Sequence, residues 1–275
     1  MGGIIWLASY PKSGNTWMRA FLHNLLQNPP QPVPINELMR FTLGDTLVEW
    51  YEKVAGRPVA GLTDEELAAL RPKVHALFTR ASPDSVFVKT HMALESVCGV
   101  PLITMDYTAG AIYILRDPRD VALSAAAHFG TDVDGAIALM NNPVARTGFE
   151  TITVPQYYGT WSQHVRSWTT QRHERLLIVR YEDMLEKPFP TFAKVAHFLG
   201  LKPERERINK AVRFSSFREM QRQEARDGFI ERSVSSKAFF RAGVAGQWRE
   251  ALSKDQIARL VDVHRDVMQE FDYRF

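Results

Sequence analysis

The sequence lacks the features that mark several specialised classes of protein. It has a single cysteine, Cys98, so it cannot form an intramolecular disulfide, and no cluster of Cys and His has the spacing of a zinc site. The net charge is only +3 and no block of basic residues occurs. No apolar run is long enough to span a membrane, and the first residues do not resemble a signal peptide. These absences predict a cytoplasmic protein with no transmembrane segment, no nucleic-acid partner and no metal site.

What the 275 residues do contain is a pattern typical of an α/β protein. Four apolar runs rich in β-forming residues predict strands at Ile4–Ser9, Ser85–Lys89, Ala111–Leu115 and Leu176–Arg180. Helical patterns separate most of these runs, which favours a central parallel sheet with helices on both faces. No linker divides the chain, so we expect one domain over residues 1–275. The proline-rich and weakly patterned stretch 29–61 is predicted to be an insertion over the sheet.

The loop after the first predicted strand has the composition of a phosphate-binding turn. Residues Tyr10–Trp17 lie between that strand and a helical pattern, and they include Lys12, Ser13, Gly14 and Thr16. Backbone N–H groups and the positive end of a helix dipole attract an anion at such a turn, and a lysine adds a full charge. The spacing differs from the nucleotide-binding G-x-x-x-x-G-K-[ST] loop, because Lys12 precedes the only glycine.

Two further predicted strands end in residues suited to the same chemistry. The second delivers Lys89 and is followed by His91, and the third leads into Arg116, with Ser124 two turns into the next helix. Ligands of open α/β sheets bind outside the carboxyl ends of the strands, so we expect these side chains to share one site. A histidine can take a proton from an attacking hydroxyl, and an arginine can grip a phosphate with two hydrogen bonds.

Together these segments resemble the sulfotransferase family. Tyr10–Trp17 reads Y-P-K-S-G-N-T-W, close to the family's Y-P-K-S-G-T-T-W loop for a 5′-phosphosulfate, and Arg116–Ser124 resembles its 3′-phosphate segment. Lys89–His91 matches the K-T-H segment of the cytosolic branch. Phe240–Trp248, here named the closing motif, resembles R-K-G-x-x-G-D-W. The matches follow the family's order along nearly the whole chain, and the resemblance implies the P-loop-like sulfotransferase fold.

The resemblance also implies a donor and a role for each residue. The donor would be 3′-phosphoadenosine 5′-phosphosulfate (PAPS), which becomes 3′-phosphoadenosine 5′-phosphate (PAP) after sulfuryl transfer to a hydroxyl or an amine. His91 would be the general base, Lys12 would stabilise the leaving group and Lys89 the transferring group. The remaining donor-binding residues would be Ser13, Gly14, Asn15 and Thr16 at the phosphosulfate, Trp17, Tyr181, Ser216 and Phe217 at the adenine, Arg116, Ser124, Arg241 and Gly243 at the 3′-phosphate, and Phe240 and Ala242 in the closing motif.

The chain departs from the family pattern near its C-terminus. Ala242 replaces a lysine of the closing motif, and Arg119 is the candidate that would restore the lost positive charge. The segment Arg249–Lys254 lacks the K-x-x-x-T-V pattern that many cytosolic members use to dimerise. This difference argues against a dimer of that type and leaves the oligomeric state open.

Three single residues receive structural interpretations. His128 ends the helix that carries Ser124, where a positive charge would suit the helix dipole. Cys98 is interpreted as a small apolar filler. The Thr63–Glu66 capping box is predicted to open a helix that runs towards Thr79, and Pro72 is the position at which this helix could break.

The sequence leaves the acceptor and two alternative functions open. Aromatic side chains near the predicted donor site suit a phenol or a sterol, whereas R-D-P-R-D at Arg116 also resembles members that act on sugars, so a sugar or glycolipid stays possible. The first alternative is a P-loop kinase for a small hydroxylated substrate, which the position of Lys12 disfavours. The second is a nucleotide-binding module without catalysis. The acceptor candidates are residues 41–51, Tyr107, Phe129, Tyr157, Tyr158, Phe239 and Phe240.

Overall fold

The centre of the molecule is a five-stranded parallel sheet. The computed structural model describes residues 2–80, 82–170 and 174–274. The strands are β1 (Ile4–Ser9), β2 (Leu43–Gly44), β3 (Val86–Thr90), β4 (Ser96–Val97), β5 (Val100–Pro101), β6 (Thr108–Leu115) and β7 (Leu176–Arg180). The spatial order β2-β3-β1-β6-β7 places β1 in the middle, and β4 and β5 form a separate antiparallel pair.

Helices connect the strands and cover the sheet. They are α1 (Asn15–Gln27), α2 (Leu38–Phe41), α3 (Val48–Ala55), α4 (Asp64–Phe78), α5 (Pro118–Phe129), α6 (Val133–Met140), α7 (Trp161–Thr169), α8 (Tyr181–Glu186), α9 (Pro188–Phe198), α10 (Arg205–Phe214), α11 (Phe217–Asp227), α12 (Trp248–Ala251) and α13 (Lys254–Glu270). Short 3₁₀ turns occupy Ile35–Glu37 and Met105–Tyr107. Within the described ranges, no helix is both long and apolar enough to cross a membrane.

The core has one cluster on each face of the sheet. Trp6 and Ala8 of β1 are buried in a cluster with side chains of α4, α7 and α13, whereas Leu7 is buried on the other face with α1, α9 and α10. Successive side chains of a strand point to opposite faces, so a strand covered on both sides must be apolar throughout. This requirement explains the continuous apolar runs, and the predicted parallel sheet with helices on both faces is confirmed.

The structure corrects two local predictions and confirms a third. Residues 29–61 are more than an insertion, because Leu43 and Gly44 pair with Val88 and Lys89 and add β2 to the sheet. The helix predicted to run from the capping box at Thr63 towards Thr79 is confirmed, since α4 continues through Pro72 and ends at Phe78. Cys98 is exposed, in a left-handed turn with φ +51°, and is not an apolar filler.

Candidate active site

The candidate site is a cavity of about 340 Å³ at the carboxyl edge of the sheet. Because β1, β3 and β6 are parallel neighbours, their carboxyl ends lie side by side. The segments that follow them bring Lys12, His91 and Arg116 to the wall of this cavity, and Lys89 joins them from the end of β3. The sheet topology therefore assembles the residues that the sequence singled out.

The loop after β1 takes a conformation that requires glycine. Gly14 has φ +105°, and a Cβ atom at this position would lie 2.7 Å from the Tyr181 ring. Helix α1 begins at the next residue without a side-chain cap, so its first N–H groups remain available to a ligand. The Asn15 side chain has another role: its amide donates to the Leu7 carbonyl at 2.8 Å and ties the loop to β1.

Three basic side chains, one of them from the loop itself, line this part of the cavity. Lys12, Lys89 and Arg116 line the cavity, and burial together with repulsion by the other two lowers the pKa of Lys12 to about 7. The Lys12 Nζ lies 3.9 Å from the centre of the Phe239 ring. Arg116 stacks over Tyr181 and donates to the carbonyl of Lys12 at 3.1 Å. An anionic ligand would relieve this concentration of positive charge.

His91 is held as a neutral base. Its Nδ1 lies 2.8 Å from the Ser9 carbonyl oxygen, and since a carbonyl can only accept, Nδ1 carries the proton. The other ring nitrogen, Nε2, is then free to accept a proton. Burial and the charge of Lys89 lower the pKa of His91 well below its usual value. His164 supports the segment by donating from its Nε2 to the carbonyl of His91 at 3.1 Å.

Glu231 is part of the site, although no sequence pattern indicated it. Its carboxylate accepts hydrogen bonds from Arg19 at 2.8 Å and from Lys89 at 2.9 Å. The two cations lower the pKa of Glu231 to about 2, against the opposing effect of burial. The carboxylate therefore stays ionised and compensates the charge of Lys89.

Glu231 belongs to a long loop, residues 228–247, that covers the cavity. Glu224 holds this loop by accepting from the N–H groups of Phe239 and Phe240, and Asp120 accepts from those of Gly246 and Trp248. Arg116 donates to the carbonyl of Val244 at 3.2 Å. Because Arg116 also donates to the Lys12 carbonyl, it connects the closing motif to the loop Tyr10–Trp17, here named the donor loop.

All but two of the predicted site residues line the cavity. Ser13 is buried inside the turn, and Ser216 caps α11 by accepting from the N–H of Glu219 at 3.4 Å. Those that line it are Lys12, Gly14, Asn15, Thr16, Trp17, Lys89, His91, Arg116, Ser124, Tyr181, Phe217, Phe240, Arg241, Ala242 and Gly243.

Arg119 does not replace the charge missing at Ala242. It is only 1% exposed, and its guanidinium forms hydrogen bonds of 2.9 and 2.8 Å with Asp117 while it stacks on Trp248. The interpretation of His128 as a cationic helix cap is also wrong. His128 lines the cavity, and burial with the nearby Lys12 lowers its pKa to about 3, so it is neutral.

The unpaired polar atoms of the site fit an anionic nucleotide. Among the described residues, the Ser13 hydroxyl, the Trp17 indole N–H and the Arg116 Nε are buried without a hydrogen-bond partner. Buried polar groups are rarely left in this state unless a ligand or water satisfies them. Hydroxyl and guanidinium donors suit phosphate oxygens, and Trp17 and Tyr181 offer aromatic surface to a base.

Comparison with known families decides the assignment. Residues 4–272 match the model of the sulfotransferase domain. The chain belongs to the sulfotransferase family. This membership rules against the P-loop kinase that the sequence left open. Rat sulfotransferase 2A6 is 26% identical over 271 residues, which cover 96% of this chain and 84% of that protein. Rat sulfotransferase 1A1 is also 26% identical, over 98% of this chain and 86% of its own length.

Solved sulfotransferase structures share the fold. Mouse sulfotransferase SULT7A1, solved with PAP, superposes with a TM-score of 0.63 at 22% identity and covers 98% of this chain and 85% of its own. Retinol dehydratase, solved with androsterone and PAP, has a TM-score of 0.65 at 21% identity over 99% of this chain and 82% of its own. The predicted P-loop-like sulfotransferase fold is confirmed.

Proposed function

We propose that this protein transfers a sulfuryl group from PAPS to a hydroxyl, or to an amine, of a small acceptor. The observation that carries the proposal is the meeting of a cation cluster with a neutral histidine in one cavity. Lys12, Lys89 and Arg116 provide charge for a phosphosulfate, and His91 Nε2 provides a base. As the family model spans residues 4–272, we propose that one domain performs the reaction.

The residues of the donor loop would bind the nucleotide. The free N–H groups at the start of α1 and the hydroxyls of Ser13 and Thr16 would hold the 5′-phosphosulfate. Arg116, Ser124 and Arg241 would hold the 3′-phosphate, for which Arg119 is not available. When bound, PAPS supplies the sulfuryl group, and its bond to the 5′-phosphate breaks as the bond to the acceptor oxygen forms.

The catalytic residues would accept one proton from the acceptor and stabilise the negative charge that develops during transfer. His91 Nε2 takes the proton of the acceptor hydroxyl as the oxygen attacks, because Nδ1 already donates a hydrogen bond to the Ser9 carbonyl. Lys12 supplies positive charge for the phosphate that is left, and Lys89 supplies it for the transferring group. Charge stabilisation in a dry site is the main contribution to be expected for this type of transfer.

Exchange of His91 for alanine separates catalysis from donor binding. We expect His91→Ala to lose about 100-fold or more in kcat with a panel of phenols, sterols and sugars, since general-base catalysis contributes about that factor or more. Its affinity for PAP, measured by calorimetry, should stay within about threefold of wild type. His197→Ala is the matched control, because His197 is an exposed histidine of α9 outside the cavity. Full activity of His91→Ala would remove His91 from the proposed role.

A further inference from the structure

His91 lies on a segment that belongs to no helix or strand. Strand β3 ends at Thr90, and residues 91–95 continue without regular secondary structure. A catalytic group must be held to within about 0.5 Å of its productive position, and here no ladder of backbone hydrogen bonds holds it. The side chains that hold this segment therefore decide where the base lies.

Helix α7 holds the segment with side chains from one of its faces. The Trp168 indole N–H donates to the carbonyl of Met92 at 2.9 Å. His164 lies four residues before Trp168, so the two side chains share a face of the helix. Its Nε2 lies 3.1 Å from the carbonyl oxygen of His91. Of these two side chains, His164 is the one that bonds to the residue carrying the base.

A buried tyrosine fixes the position of the proton on His164. Since a carbonyl oxygen can only accept, His164 Nε2 carries a proton, and burial lowers the pKa of His164 to about 4, so the ring is neutral and Nδ1 carries none. The Tyr113 hydroxyl lies 2.9 Å from this Nδ1 and therefore donates to it. The oxygen of that hydroxyl receives a hydrogen bond from the backbone of Tyr10. The hydrogen bonds thus run in one direction, from the donor loop through Tyr113 and His164 to the backbone of His91.

Tyr113 and His164 lie behind the cavity and do not line it. Both are 0% exposed, and the His164 ring lies 5.4 Å from the centre of the Tyr10 ring and 5.7 Å from that of Tyr113. Buried polar groups are costly unless they are bonded, so this pair is stable in the one arrangement that bonds both nitrogens of the imidazole. Any effect of the pair on the reaction must pass through His91 or through the stability of the fold.

We propose that His164, with its proton placed by Tyr113, is a positioning residue that holds His91 where Nε2 of the base meets the acceptor hydroxyl. The inference rests on the proposed sulfotransferase function and adds two residues to the support of its base. Without the hydrogen bond from Tyr113, the proton of His164 can move to Nδ1, and Nε2 then no longer donates to the carbonyl of His91. The backbone of His91 loses this bond, and its imidazole moves away from the acceptor.

Single exchanges measure the effect on turnover with an acceptor that wild type sulfates. His164→Phe keeps a ring and removes both hydrogen bonds, and we expect kcat to fall at least tenfold, because a displacement of about 1 Å can cost about 100-fold in rate. The KM for PAPS should stay within about threefold of wild type, since donor binding does not use the base. His164→Gln should recover part of the loss, because its amide nitrogen reaches as far as Nε2 and can donate. Tyr113→Phe removes only a hydroxyl and should lower kcat in the same direction, which keeps the test open if His164→Phe does not fold.

His264→Phe is the matched control for the loss of a buried histidine. His264 is also 0% exposed and has a hydroxyl partner, Ser162, at 2.9 Å, but it does not line the cavity and its bond does not reach the site. We expect this variant to lose thermal stability, as His164→Phe does, and to keep kcat within about twofold of wild type. The comparison separates a weaker fold from a misplaced base.

A double exchange shows whether the effect passes through His91. In His91→Ala the base is absent, so the addition of His164→Phe should change the remaining rate by less than about twofold. A further loss as large as the one in the wild-type background would overturn the inference, and so would wild-type kcat in both His164→Phe and Tyr113→Phe. These results would leave the sulfotransferase intact. A wild-type protein that neither binds PAP nor sulfates any acceptor would overturn the proposed function itself.

Discussion

Raising the pH from 7 to 9 should weaken the binding of PAP, because Lys12 loses its charge in this range. Burial, assisted by Lys89 and Arg116, lowers the pKa of Lys12 from 10.5 to about 7 in the free protein. A bound anion favours the charged ammonium and raises that pKa again. Binding therefore selects the protonated form, so the contribution of Lys12 to affinity is complete well below pH 7, is halved near pH 7 and falls further as the pH rises.

The size of this effect follows from the protonated fraction of Lys12. With a pKa of about 7, Lys12 is about half charged at pH 7 and about 1% charged at pH 9, which limits the loss of affinity to about 50-fold. PAP does not add to the decline, because the second pKa of a phosphate monoester is about 6 and its charge is constant above pH 7. We expect an observed loss between about tenfold and this limit.

Calorimetric titration of PAP from pH 6 to 9.5 measures the decline in affinity. The ionic strength is kept constant, because added salt would itself screen the charges that bind PAP. Lys12→Arg is the decisive control, because a guanidinium stays charged throughout and its binding curve should be flat. Lys12→Met should bind weakly at every pH. Wild-type affinity that changes less than twofold between pH 7 and 9, or a parallel decline in Lys12→Arg, would refute the reasoning.

Two further predictions concern Gly14 and Glu231. Gly14→Ala should weaken PAP binding at least tenfold in calorimetry, because the new Cβ must displace the Tyr181 ring and a left-handed alanine costs about 1–2 kcal/mol. Gly56→Ala is the control: Gly56 is also left-handed but has no neighbour within 4 Å of the added Cβ, so this variant should bind PAP normally. Glu231→Gln should unfold in urea with a free energy about 3 kcal/mol lower at pH 7, because the carboxylate pKa falls from 4.5 to about 2 on folding. That difference is complete above about pH 4.5 and shrinks as the pH falls towards 2, and equal stabilities at pH 7 would contradict the pairing with Lys89.

Much of the fold could be predicted because its central strands are buried on both faces. An element such as β1 must then be apolar along its whole length, and a run of this kind is visible in the sequence. The two-residue strand β2 leaves no such pattern, because backbone pairing with β3 places Leu43 and Gly44 there. Helix α4 was predictable from its capping box, and its tertiary packing outweighs the local tendency of Pro72 to break a helix.

The candidate site was predictable where one strand end carries several functional residues in sequence. The segments at Lys12, His91 and Arg116 are of this kind, and the parallel sheet brings them together. Glu231 was not predictable, since it lies 212 residues from Arg19 in the sequence and only the path of the 228–247 loop unites them.

The 228–247 loop has a consequence for the timing of turnover. Arg116 holds the Val244 carbonyl, Lys89 holds the Glu231 carboxylate and Lys12 lies under the Phe239 ring, so each cation proposed for the donor already has a partner on this loop. The arrival of a nucleotide is then an exchange of partners, and its departure is the reverse exchange. We therefore expect the release of these contacts by the 228–247 loop, and their return, to limit how often the protein can complete a cycle.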